Sequence, residues 1–284
     1  MIRVSHEVRE ADAVVALETT IVAHGFPPGE GVAVGLESER RVRAAGAMPA
    51  TIGVLDGEIR VGLTDGELER FDASARKAGP RELGVCVARR QTGATTVGGT
   101  LAVCRAAGIR FMGTGGIGGV HRGARFDISA DLLELSRSQV AVVSSGVKSL
   151  LDVEATAEML ETLGVPVLGW RTDTMPRFYD AAGGPAVTER VETVDEAVRL
   201  ARLHWELSGC GVLVARPPDT SLDVDDLIDQ ALDEAERQGI SGPAVTPFVL
   251  SRLHERSEGR TLEVNRELAA ANAGLAGELA VGAA

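Results

Sequence analysis

The sequence predicts an α/β fold in which a mostly parallel sheet is covered on both faces by helices, with further helices closing the chain. Short runs of Val, Leu, Ile and Ala alternate with longer amphipathic stretches over roughly the first 240 residues. Many of these runs are apolar throughout, which marks strands buried on both faces. After them the pattern is helical only, with no new strand.

Strands are expected at Ala13–Leu17, Ala50–Leu55, Ile59–Val61, Gly84–Val87, Arg110–Met112, Val140–Ser144, Val165–Gly169 and Val212–Ala215. The periodicity places helices at Glu30–Ala45, Thr64–Ala73, Val97–Ala107, Ala130–Ser136, Leu150–Leu163, Val194–Leu207 and Val224–Gln238, and then at Pro243–Ser257 and Leu262–Leu279. Asp56-Gly57 between two β-type runs marks a hairpin. With no internal repeat and no linker, residues 1–284 read as one domain. The segment 177–190 reads as a loop or lid.

Composition narrows the chemistry. A net charge of −12 and a pI near 5.0 argue against nucleic-acid or anionic-membrane binding. Cys86, Cys104 and Cys210 are widely spaced without a CxxC, and the first two sit in apolar runs as small hydrophobes. There is no charged leader with an apolar core and no spanning apolar run, so a reduced cytoplasmic protein is expected. Lys77 and Lys148 are the only lysines, against twenty-seven arginines. Unlike a guanidinium, an amine can be deprotonated and used as a nucleophile, so a lysine kept in an arginine-rich chain draws attention.

The polar residues of interest follow predicted strands: Glu18 after VVAL, Gly113–Gly119 after RFM, and Ser144–Lys148 after VAVV. Ligands of α/β sheets bind outside the carboxyl ends of strands, so these three ends converge on one edge. A carboxylate such as Glu18, partly desolvated there, is suited to general acid work, although a paired structural glutamate fits the position too. Lys148, in the small-residue turn SSGVK, is placed to attack a carbonyl-like carbon.

Three motifs carry two readings each. GTGGIG at Gly113–Gly118 matches the dinucleotide fingerprint, but GVHRGARFDIS after it does not open a helix and no acidic residue follows at ribose distance. A loop of exposed amides holding one phosphate or carboxylate is the better reading. In GATTV, Thr95 or Thr96 caps the next helix, or its first amides hold an anion. In FDISAD, Asp127 or Ser129 caps a helix, or Asp127 and Asp131 hold Mg²⁺ or Mn²⁺ with His121 close in sequence. Lys77, in ARKAGPRE, reads by itself as a solvated loop cation.

Together VVALETTIVAHGFP, GATTV, TGGIGGVHRGARFDISADL, VVSSGVKSLLD, TPFVLSRL and VNRELAAANAGLAGELA resemble the pseudouridine-5′-phosphate glycosidase family, which includes the indigoidine-synthase-A type proteins. The likeness runs from about residue 5 to about residue 281. It implies a single-domain three-layer α/β/α sandwich, a homotrimer, and reversible cleavage of pseudouridine 5′-phosphate to uracil and ribose 5-phosphate with Mn²⁺ and a covalent lysine adduct. By position in the motifs, Lys148 is implied as nucleophile, Glu18 as proton donor and Asp127 as manganese ligand. Lys77, Val97, Ser129, Ala130 and Asp131 are implied as substrate contacts, with His121 and Asn265 added as pocket residues. The chain departs from the family's pattern at Ala215–Pro218, where ARPP replaces an expected NPIP, and in the AAGG of the 177–190 segment. Two other functions fit the same residues: a different lysine-imine lyase of sugar phosphates, and a non-catalytic accessory protein.

Overall fold

A computed structural model of the chain describes residues 1–123, 126–240 and 245–284. Numbered along the chain, the strands are β1 (Ile2–Val4), β2 (Val14–Glu18), β3 (Met48–Leu55), β4 (Glu58–Val61), β5 (Arg76–Ala78), β6 (Gly93–Thr95), β7 (Phe111–Gly113), β8 (Val120–His121), β9 (Ala141–Ser144), β10 (Leu151–Asp152), β11 (Val167–Trp170), β12 (Glu189–Val191) and β13 (Val212–Ala215). The helices are α1 (His6–Glu10), α2 (Thr20–His24), α3 (Gly31–Ala44), α4 (Asp65–Leu68), α5 (Pro80–Ala88), α6 (Val97–Ala107), α7 (Ala130–Arg137), α8 (Val153–Thr162), α9 (Val194–Ser208), α10 (Asp225–Arg237), α11 (Val245–Arg256) and α12 (Arg260–Ala283).

The main sheet runs β1-β4-β3-β2-β7-β9-β13-β11-β12, with β5 and β6 branching from β3. From β3 to β12 along this path every neighbouring pair is parallel. Successive side chains of a strand point to opposite faces, and here both faces are apolar. Val15, Leu17, Phe111, Ala141, Val143, Val212 and Val214 join one core with α3, α9 and α12. Ala16, Met112, Val142, Leu213 and Ala215 join the other, beneath α6 and α7. The result is the three-layer α/β/α sandwich expected of the sequence.

Local chemistry sets the boundaries. Thr96 accepts from the Gly99 amide and starts α6, and Gly108, at φ 76°, ends it in the left-handed conformation. Thr193 and Glu196 form a capping box on α9. The Asp56-Gly57 hairpin joins β3 and β4, with φ of 52° and 82° at its two central residues, as a type I′ turn needs.

Two expected elements differ. Gly84–Val87 is not a strand but part of α5: Pro80 opens the helix, and Leu83 and Cys86, three apart, face the core while Val85 is exposed. The helix expected at Thr64–Ala73 is only the four residues of α4. Lys77 lies not in a loop but in β5, paired with β6. The expected helix start at Pro243, like Ala124 and Arg125 of the HRGARFD segment, lies outside the described residues. The 177–190 segment is tied down by hydrogen bonds from Met175 to Pro185, from Val187 to Asp173, and from Arg177 to Asp180 and Asp225.

Candidate active site

Parallel pairing brings the carboxyl ends of β2, β7 and β9 side by side. Outside them opens a cavity of about 300 Å³, small among ligand pockets. Glu18, Lys77, Lys148 and Asn265 line it, with Thr114 and His24. Phe178, Leu250 and Leu253 give it an apolar wall.

Glu18 ends β2 and is 6% exposed. Its Oε1 accepts a hydrogen bond of 2.5 Å from the Thr114 hydroxyl. Burial drives the Glu18 carboxyl above the usual carboxylate range, opposed by the Lys148 ammonium, the Thr114 bond and Lys77, while Asp131 adds to the rise. A raised pKa brings a carboxyl closer to the range suited to general acid work.

Lys148 follows a turn that the Gly-rich loop grips. Ile117 donates to Gly146 O at 3.0 Å and Lys148 donates to Ile117 O at 3.2 Å. Gly146 has φ 74°, and a Cβ there would stand 2.0 Å from Pro176 O, so no other residue fits. Lys77, on β5, reaches the same space. Desolvation and the neighbouring Lys148 push its amine's pKa down, with Asp131 and Glu18 partly offsetting them. Half-buried His24, its Nε2 3.0 Å from Ala75 O, is also lowered, first by burial.

Asp131 is buried at 7% exposure and joins two elements distant in sequence. Its Oδ1 accepts from the Gly98 amide at 2.7 Å and its Oδ2 from the Gly118 amide at 2.8 Å. Ser129 caps α7 beneath it, accepting from the Asp131 amide. These bonds alter what the sequence led one to expect. Two first-turn amides of α6 are committed, Gly98 to Asp131 and Gly99 to Thr96. The loop after β7 is not a row of free amides either, since Thr114, Ile117, Gly118 and Val120 all donate to protein acceptors. Its glycines serve close approach: a Cβ at Gly116 would meet Phe178 at 2.5 Å.

Val97, His121, Asp127, Ser129, Ala130 and Asp131 are not among the residues that line the cavity. Asp127 is exposed, with Oδ2 3.9 Å from His121 Nδ1. Among the described residues, no group of three or more His, Cys, Asp or Glu side chains could cage a metal ion. One exposed carboxylate fits a hard cation that keeps most of its water shell, such as Mn²⁺ or Mg²⁺, and does not fit zinc. Thr114, His24, Phe178 and the two leucines were not legible as site residues. Each lies in a segment already singled out, Thr114 in the Gly113–Gly119 loop, His24 in VVALETTIVAHGFP, Phe178 in 177–190 and the leucines in TPFVLSRL, but nothing in those segments marked the individual side chain.

Comparison with known proteins agrees with this architecture. The family model described as "Indigoidine synthase A like protein" matches residues 3–282. A protein of Myxococcus xanthus named pseudouridine-5′-phosphate glycosidase is 46% identical, over 99% of this chain and 97% of its own. One of the same name from Geobacillus kaustophilus is 44% identical, over 97% and 96%. Among solved structures, the prealnumycin C-glycosynthase AlnA in complex with ribulose 5-phosphate superimposes with a TM-score of 0.90 at 38% identity, covering 100% of this chain and 97% of that one. An indigoidine synthase A-like protein from Thermotoga maritima gives 0.91 at 39% identity, covering 99% and 96%. The chain belongs to the indigoidine synthase A-like family.

Proposed function

We propose that this protein cleaves the C1′–C5 carbon–carbon bond of pseudouridine 5′-phosphate, reversibly, to uracil and ribose 5-phosphate. The observation that carries this is the meeting of a buried carboxyl, its pKa raised by desolvation, with two amines in one cavity. The names of relatives at 44–46% identity point the same way.

A carbon–carbon bond offers no leaving heteroatom to protonate, so the carboxylate pair of ordinary glycoside hydrolysis does not suffice. In the proposed sequence Glu18 gives its proton to the sugar ring oxygen as the C1′–O bond opens. The Lys148 amine then adds at C1′. The nitrogen, now cationic, gives a proton to the Glu18 carboxylate; its regenerated lone pair forms the C1′=N bond as the C1′–C5 bond breaks, and C5 of the departing uracil takes that proton. Water adds to the resulting iminium and releases ribose 5-phosphate and the free amine.

Lys77 and the Val97 amide are assigned to the phosphate, whose binding restrains the opened sugar. Ser129, Ala130 and Asp131 are assigned to hold substrate or the loops around it, Asn265 lines the pocket, and His121, outside the cavity lining, is assigned a place beside Asp127. Asp127 would hold Mn²⁺, which when bound supplies a positive charge that orders water and substrate oxygens. The family resemblance supports a homotrimer.

A second assignment has an observation in its favour. Lys77 lines the same cavity, and desolvation and the neighbouring Lys148 push its amine's pKa down, a condition that favours imine formation. It would exchange the roles of the two lysines and leave the reaction unchanged. The function is tested by incubating the protein with pseudouridine 5′-phosphate and Mn²⁺ and following free uracil by chromatography. Stoichiometric uracil and ribose 5-phosphate are expected. Rearranged sugar phosphate without uracil would indicate the other lyase class.

A further inference from the structure

Asn272, in α12, is fully buried beneath the ends of β7 and β9. Its Nδ2 lies 2.9 Å from Thr114 O, 3.2 Å from Gly115 O and 3.1 Å from Ser145 Oγ. Two N–H groups thus serve three acceptors, and neither carbonyl could donate to an amide oxygen, so the amide cannot be turned over. Its Oδ1 is buried with no protein partner. A buried polar side chain with an unsatisfied oxygen is a costly way to fill a helix–sheet contact, and an apolar residue would pack there without that cost.

What the amide joins is specific. Thr114 holds the Glu18 carboxyl through its side chain, and Asn272 holds Thr114 through its carbonyl. Ser145 opens the turn that presents Lys148, donates its own amide to Gly115 O at 2.8 Å, and receives the Phe178 amide at 2.9 Å. One side chain therefore fastens the strand end bearing the acid's partner to the strand end bearing the amine.

We propose that Asn272 is a positioning residue that sets the acid arm (Thr114 and Glu18) against the amine arm (Ser145 to Lys148). It touches neither substrate nor reacting atoms. The role rests on the assignment of Glu18 and Lys148 made above. Without the amide, the Thr114 and Ser145 segments separate, the Thr114–Glu18 bond lengthens, and the amine moves off the line of attack.

The test is a double-mutant cycle of Asn272→Ala with Thr114→Val, read by kcat, KM and the pH profile of uracil release. Asn272→Ala is expected to lower kcat by about tenfold to a hundredfold, with KM changed far less, since misplacing groups by an ångström has costs of that order. It should move the alkaline limb of kcat in the same direction as Thr114→Val, and the double variant should move it little further, because both act through one bond. If Asn272→Ala does not fold, Asn272→Ser, which keeps one donor, carries the same cycle. An unmoved limb, or effects that simply add, would reduce Asn272 to a packing residue and overturn the proposal. Failure of the underlying assignment shows differently: the unsubstituted protein would then release no uracil.

Discussion

Replacing Thr114 with Val removes one hydrogen bond to Glu18 while keeping a side chain of similar shape. In the native site that hydroxyl stands 2.5 Å from Glu18 Oε1 and stabilises the ionised carboxylate against burial, with Lys148 and Lys77 acting in the same sense. A hydrogen bond to a charged group contributes about 1.5–3 kcal/mol. At about 1.4 kcal/mol per pH unit, its loss raises the Glu18 pKa by roughly one to two units. If Glu18 donates its proton in the slow step, activity is lost as Glu18 ionises, so the alkaline limb of kcat moves upward by that amount. Single-turnover uracil release across the pH range measures it. A limb that stays in place, or moves toward acid, would refute the assignment of Glu18 as the proton donor.

Other perturbations follow from the same geometry. Glu18 and Glu39 are both buried carboxyls with raised pKa values, and Glu39 is bonded to the Thr51 hydroxyl at 2.5 Å. Each binds its proton more tightly folded than unfolded, so its contribution to stability falls as pH rises from the unfolded value of 4.5 toward the folded one. Glu39→Gln and Glu18→Gln should therefore flatten the decline of stability with pH in urea unfolding, and an unchanged slope would contradict it. Gly146→Ala should abolish lysine-adduct formation or folding, because its Cβ would sit 2.0 Å from a carbonyl oxygen. Gly108→Ala, with a similar φ of 76° and open space around it, should cost only about 1–2 kcal/mol of stability in thermal melts. Chelation should depress uracil release, with Mn²⁺ restoring it better than Mg²⁺ or Zn²⁺, and Asp127→Asn should weaken Mn²⁺ binding in a direct titration.

Much of this molecule is legible in its sequence because parallel strands buried on both faces leave continuous apolar runs. The ends of β2, β7 and β9, and with them Glu18 and Lys148, follow from those runs directly. The misread segment at Gly84–Val87 shows the limit, since four apolar residues fit a strand or a helix turn equally, and only Pro80 favours the helix. Lys77 is placed by the pairing of β5 with β6, strands of three residues that carry no periodic signal of their own. Asp131 has the composition of a cap or a metal ligand, yet it bonds amides 33 and 13 residues away, a relation that exists only in three dimensions. Thr114 and Asn272 are neutral residues whose importance comes wholly from what lies against them.

The most direct measurement is borohydride reduction of the protein in the presence of ribose 5-phosphate, followed by peptide mass spectrometry. A single reduced adduct on Lys148 is expected. Lys148→Arg should lose it entirely, and Lys77→Arg should only demand more ribose 5-phosphate to form it, since phosphate accepts either cation. An adduct on Lys77 would exchange the roles of the two lysines, and no adduct on either would contradict imine chemistry at this site.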